Sequence, residues 1–441
     1  MRRCVSPWPR ADCVTPKSQD SHHPLLLKVR TEMGFQESMR ILIYSHDSFG
    51  LGHLRRCRAI AHSLVEHRRD ISVLIISGSP IIGSYSFRSR VDYIRFPGVV
   101  KLRNGGYTPR GLDISIEDAI AIRETIVRST ANVFKPHIFL VDKEPLGLRG
   151  EVGDTLETLH QNGTRLVLGL RDVLDEGETL KEEWERKGAM QPLCDLYDDI
   201  WVYGSEGACD PLEGLDVPAA VRRKMTYTGY LRRSVNQAAG PVTLDGSEID
   251  SPFILVTTGG GGDGTTLVDW VLRAYEQDPY IPHRAVIVFG PFMHRDSQSE
   301  FNARIERLDK VHAVDFVPNF EDLMSRSQGV VAMGGYNTVC EILSFDKPSL
   351  IVPRSVPRME QTIRATRMEG LGLVKMLRDD GMPNPRLMAK AIRALPYQPK
   401  PSQRQLPGLL DGFAVINAMV DHGLLDAATS APTFKVVSEA S

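Results

Sequence analysis

The chain has 441 residues, too many for one ordinary hydrophobic core, so two domains are expected. Its 42% apolar and 24% charged residues are those of a globular protein, and a net charge of −2 gives no drive toward nucleic acid. The six cysteines, Cys4, Cys13, Cys57, Cys194, Cys209 and Cys340, form no C-x-x-C pair and no Cys/His cluster at metal-ligand spacing; a reducing, cytoplasmic setting fits. No apolar run approaches the roughly 18 residues that span a bilayer.

Residues 1–37 mix Arg, Pro, Ser and His without periodicity and read as a disordered leader; an organellar transit peptide or an upstream start codon, with Met33 or Met39 as the true first residue, are the alternatives. From "MRILIYSHD" onward, short β-rich runs alternate with longer helical patterns, the mark of βα units around a parallel sheet. Strands are expected at 40–45, 71–77, 91–96, 137–142, 165–170, 199–204 and 225–229. In "SIEDAIAIRETIVRSTANVF" the residues Ile116, Ile120, Ile126, Val127 and Ala131 recur near a 3.6 period and predict a long helix on that sheet. This first domain is placed at 38–232, followed by a linker at 233–250 that loses periodicity and gains Gly, Pro and Ser. The alternation restarts in a second domain at 251–402 with "FILVTT", "RAVIVFG", "VHAVDFV", "GVVAMGG", "PSLIVPR" and "LGLVKML"; residues 403–441 are a helix and a loose tail.

Two such sheets leave a cleft at their carboxyl ends, where ligands of parallel sheets bind. "LVTTGGGGDGTTLVDWVL" follows a strand and opens a helix. Its glycines, among them Gly260, Gly261 and Gly262, let backbone N–H groups approach a diphosphate; a flexible turn is the plain alternative. "VVAMGGYNTVCEILSF" repeats the layout: Gly334 and Gly335 make the turn, Asn337 or Thr338 caps the helix, and Glu341 shares a face with Asn337. A carboxylate there can accept two hydrogen bonds from a ribose diol, or simply stabilise a helix start. In "PRSVPRMEQTIRATR", Gln361 can bind a sugar hydroxyl or a base edge, or lie on a solvated face.

The order of these pieces, "DFVPNFEDLMSRSQGVVAMGGYNTVCEIL", "KPSLIVPR" and "EQTIRATR", resembles the donor domain of GT-B-fold glycosyltransferases, particularly those similar to the peptidoglycan N-acetylglucosaminyltransferase. The resemblance covers nearly all of residues 39–400. It implies two Rossmann-like α/β domains facing across a cleft, with Glu341 binding nucleotide ribose, the glycine-rich loop near the donor phosphates, and Gln361 as the amide after the acid. In the first domain, "SFGLGHLRRCRAIAHSL" supplies the family's strand, Gly-x-Gly-His, helix opening, with Gly50 and Gly52 making room and His53 at the helix start. A lone His after Gly is otherwise a capping or packing residue. Two departures, "HDSFGLG" and "TTGGGGDG", point to a different acceptor.

The resemblance implies a metal-independent glycosyltransferase without a cofactor, taking a sugar from a nucleoside diphosphate sugar, a UDP-sugar, to an unidentified acceptor hydroxyl or amine. His53 is the first candidate base, with Asp172 and Asp142 as further choices. His46 and Asp47 sit at the strand end on the acceptor side. The loops with Asp142, Lys143 and Glu144 and with Arg171, Asp172 and Asp175 serve equally well as acceptor sites, caps or salt bridges. A nucleotide-sugar hydrolase, which shares Gly50, Gly52, His53 and Arg56 as G-x-G-H-x-x-R, a 2-epimerase of the same fold, whose carboxylate pattern is not evident, and a non-catalytic nucleotide-sugar binder are the competing readings. Peripheral membrane contact through an apolar patch stays open.

Overall fold

A computed structural model describes residues 38–46, 52–102, 106–235, 243–244, 247–248, 252–317, 319–356, 358–379 and 381–430. The 1–37 leader, most of the 233–250 linker and the tail beyond residue 430 therefore lie outside the described residues.

The first sheet comprises β1 (Met39–Ser45), β2 (Ile71–Ser77), β3 (Val91–Arg95), β4 (Ile138–Asp142), β5 (Arg165–Arg171), β6 (Asp199–Tyr203) and β7 (Met225–Tyr227). All pairings are parallel, in the order β3-β2-β1-β4-β5-β6-β7. The second sheet comprises β8 (Phe253–Thr257), β9 (Arg284–Val288), β10 (Val311–Val314), β11 (Gly329–Ala332), β12 (Ser349–Ile351) and β13 (Lys375–Met376). It is parallel too, ordered β10-β9-β8-β11-β12-β13. Both orders reverse direction beside the first strand of the sheet, between β1 and β4 and between β8 and β11. Ligands of doubly wound sheets sit at such a reversal. The central strands are buried on both faces, which is why runs such as "ILIY" and "FILV" read as unbroken apolar segments.

The helices that shape the site are α1 (Gly52–His67), α2 (Ile116–Phe134), α3 (Thr265–Gln277), α4 (Phe320–Arg326), α5 (Tyr336–Ser344), α6 (Glu360–Gly370) and α7 (Gly412–Ser430). In α2 the Ser115 hydroxyl accepts from the Asp118 N–H, and Lys135 ends the helix in the left-handed region. Its buried stripe is Ala119, Arg123, Val127 and Ala131, with the expected Ile116, Ile120 and Ile126 half-buried on the same side; Arg123 is the member that apolar spacing does not predict. Arg123 enters the core to pair with the fully buried Glu151 through 2.5 and 2.6 Å bonds.

The last described helix returns to the first half. Helix α7 lies on α1: Asn417 Nδ2 donates to Ser63 Oγ at 3.2 Å, and Asp421 accepts from His67 and Arg68 at 2.8 and 3.2 Å. Ile416 and Val420 of α7 join Ile60 and Leu64 of α1 in one apolar cluster that extends into the second half. Among the described residues, no helix is long and apolar enough to cross a membrane.

Candidate active site

At the reversal of the first sheet, the end of β4 faces the start of α1. His53 Nδ1 donates to Asp142 Oδ2 at 2.5 Å, and Arg56, one helical turn on, forks onto the same carboxylate at 2.7–2.9 Å. Asp142 and Arg56 are buried, whereas the His53 side chain keeps 13% exposure. With Nδ1 committed to Asp142, Nε2 is the basic lone pair left to act on a ligand. Burial pulls the His53 imidazole down to about 4, and the attraction of Asp142 only partly offsets this. Burial pushes the Asp142 carboxyl up, but Arg56 and His53 outweigh it and hold it well below the usual carboxylate range. The result is a neutral imidazole oriented by an ionised carboxylate.

His46, just past β1, presents its ring edge-on to His53 with centroids 5.7 Å apart. It is buried, its pKa lowered by that burial, and its Nδ1 has no partner among the described residues. Asp47 and Gly50 lie outside the described residues. Gly52 is the first residue of α1, and its carbonyl accepts from Asn337 Nδ2 at 3.0 Å. The amino-terminal ends of α1 and α5 thus meet across the cleft, and both direct positive dipole ends to one place.

Beside this junction, a cavity opens between the halves, about 590 Å³ with the space at its solvent-open mouth included. Arg55, Arg58 and Tyr85 line it from the first half, and Thr257, Gly259, Gly290, Thr338 and Glu341 from the second. Val288, Phe316, Val317 and Phe320 give it an apolar wall. Glu341 is fully buried, and one of its oxygens accepts from Arg55, which also bonds Glu321 at 3.0 Å. Burial raises the Glu341 carboxyl, with Arg55 opposing.

The other residues singled out from sequence divide by role. Gly335 precedes α5 with open space where a Cβ would stand. Gly334 has φ +83°, and a Cβ there would meet Ile351 at 2.7 Å. Gly261, with φ +92°, packs on the Phe289 carbonyl, while Gly260 abuts Phe292 and Gly262 is exposed. Of the quartet, Gly259 is the one that reaches the cavity wall. Gln361 is buried and accepts from the Arg354 N–H at 3.2 Å, shaping the turn into α6.

Residues 253–405 match the family model of the glycosyltransferase family 28 C-terminal domain. A UDP-N-acetylglucosamine–N-acetylmuramyl-(pentapeptide) pyrophosphoryl-undecaprenol N-acetylglucosamine transferase of Rhodopseudomonas palustris (strain BisA53) is 32% identical over 143 residues, 32% of this chain and 37% of that one. The chain thus spans well under two thirds of that relative's length. A solved glycotransferase of kitacinnamycin overlays 88% of this chain and 98% of its own with TM-score 0.60 at 16% identity. This is a GT-B-fold protein similar to the peptidoglycan N-acetylglucosaminyltransferases. The same fold carries other chemistry: the UDP-GlcNAc 2-epimerase from Neisseria meningitidis overlays 88% of this chain and 99% of its own, with TM-score 0.54 at 14% identity.

Within the GT-B frame, Asp172 has a different neighbourhood from His53. It is fully buried between the halves, where Arg364 of α6 forks onto it at 2.7 and 2.8 Å and the Tyr230 hydroxyl donates at 2.8 Å. Both of its oxygens are occupied, so it stands as an anchor for Arg364, which also donates to the Gly334 carbonyl at 3.1 Å. Sequence reading passed over Arg364, Arg55, Glu321 and the packing role of Arg56. The Arg56 guanidinium lies 5.6 Å from the Tyr203 ring and 5.4 Å from that of Tyr336, the first residue of α5. A signal existed for Arg56, since its i,i+3 spacing from His53 puts both on one face. For Arg364 and Arg55 there was none, because arginines in amphipathic helices ordinarily face water.

Proposed function

We propose that this GT-B protein is a glycosyltransferase that moves a sugar from a nucleoside diphosphate sugar, a UDP-sugar as in the named relative, to an acceptor hydroxyl or amine held by the first half. The observation that carries the reading is the His53–Asp142 pair at the junction of two helix amino termini, beside the cavity lined by Gly259, Thr338 and Glu341. In this scheme the base lies against the apolar wall, the ribose meets Glu341 and Thr338, and the diphosphate lies toward Gly259 and the positive ends of α3 and α5. His53 Nε2 takes the proton from the acceptor as its oxygen or nitrogen attacks the anomeric carbon. The bond from that carbon to the β-phosphate oxygen breaks, and the nucleoside diphosphate leaves with its charge balanced by the helix ends and nearby arginines. The scheme draws on no metal. Asp142 orients the base and stabilises the imidazolium; Arg56 keeps Asp142 ionised.

A thermal-shift series with nucleoside diphosphates and their sugar conjugates tests the donor site, since a ligand at 100 times its Kd adds about 2.7 kcal/mol of stability. No shift with any of them overturns the proposal. Release of free sugar from a nucleotide sugar without an acceptor would assign the same site to a hydrolase instead.

A further inference from the structure

Glu341 is fully buried, yet only one of its two oxygens is used. Oε1 accepts from Arg55 Nη2, while Oε2 has no hydrogen-bond partner among the described residues. A buried acceptor left open is costly, and native interiors leave few. This one belongs to a cavity-lining side chain, so a ligand in the cavity can supply the donor. An ionised carboxylate only accepts; it repels phosphate and calls for hydroxyls or N–H groups. Arg55 comes from α1, 286 residues away in sequence, and its Nη2 also holds Glu321 of α4. Its position is therefore fixed from the second half while its own helix carries His53.

We infer that Arg55 is a positioning residue that crosses the cleft to hold Glu341 as a one-sided acceptor for the cis-diol of a ribonucleoside, so that nucleotide recognition is assembled from both halves. This rests on the donor site proposed above. The charged groups around Glu341 are Arg55 and Arg58 from α1, Glu321 from α4 and Arg233 beyond β7, with the Tyr85 phenol beside the two α1 arginines. Arg233 is itself engaged, donating to Asn337 Oδ1 at 2.8 Å. Without Arg55, Glu341 would face burial and the like charge of Glu321, and would hold a proton to higher pH. A protonated Glu341 loses acceptor capacity, and the diol loses its best partner.

The test is calorimetric binding of UDP and of 2′,3′-dideoxy-UDP to the full chain across neutral pH. The wild type should prefer the ribonucleotide at every pH. Arg55→Gln should lower UDP affinity about 10- to 100-fold, the usual range for losing a charge-assisted contact, and bring the two ligands' affinities together. Its UDP affinity should fall as pH drops, over a range where the wild type is flat; Arg55→Lys should restore both behaviours. In a Glu341→Gln background, Arg55→Gln should cause no further loss of preference. A binding Arg55→Gln variant with the wild-type preference and pH profile overturns the inference while leaving the donor site standing. A wild type that binds UDP without preferring the diol overturns it as well, and one that binds no UDP overturns the donor site and this inference together.

Discussion

The Arg364–Asp172 pair is buried completely, joins positions 192 residues apart and ties α6 to the end of β5, so its removal tests how the two halves are held. Arg364→Met strips Asp172 of its paired guanidinium bonds and leaves it the Tyr230 hydroxyl and its neighbour's Val173 N–H. A buried ionised carboxylate so exposed costs about 3–5 kcal/mol. Asp172→Asn is milder, because Arg364 keeps Glu360 at 3.3 Å and the Gly334 carbonyl; about 1.5–3 kcal/mol is expected for the lost charge-assisted bonds. The double variant strands no charge of the pair and should cost clearly less than the two singles added, with a coupling of about 2–3 kcal/mol. Urea unfolding read by tryptophan fluorescence and by circular dichroism measures this, since Trp184 and Trp201 lie in the first half and Trp270 in the second. Coincident transitions license the arithmetic. Singles costing under about 1 kcal/mol each, or strict additivity, would refute the claim that the pair couples the halves.

Further outcomes follow from the site. His53→Ala should lower turnover about 10²–10⁴-fold, the usual worth of a general base, and leave nucleotide affinity unchanged because His53 is not part of the cavity wall. In the proposed scheme the neutral imidazole is the active form, so turnover should be flat around neutrality and be lost as pH falls through about 4; an acid limb near the unperturbed value of about 6.5 would show that burial does not govern it. Gly261→Ala forces a Cβ to 2.4 Å from the Phe289 carbonyl at φ +92° and should destabilise by more than about 2 kcal/mol in the same urea assay, whereas Gly335→Ala, with open space, should not.

Much of the frame was readable in the sequence. Strands buried on both faces announce themselves as continuous apolar runs, and parallel order follows once helices separate them, so both sheets and the loops at their carboxyl ends could be located. His53 stood out because the glycines before it and the strand end are local signals. Asp142 was legible as a nearby acid but not as the partner that orients His53: the pairing joins residues 89 apart and depends on which strand lies beside β1. The face of α2 was legible from its apolar period, but the entry of Arg123 into that face was not, because periodicity gives no sign that it pairs with Glu151 in the core.

The alternation of strands and helices and the glycine turns were legible in the sequence, because they obey backbone and periodicity rules acting over a few neighbours. Which charges leave water is settled by the assembled fold. Arg55, Arg56 and Arg364 look alike in sequence, yet each ends on a particular buried carboxylate, Glu341, Asp142 and Asp172. A charge is tolerated inside a protein only where a distant segment brings its complement within bonding distance, and that meeting is a property of the assembled fold.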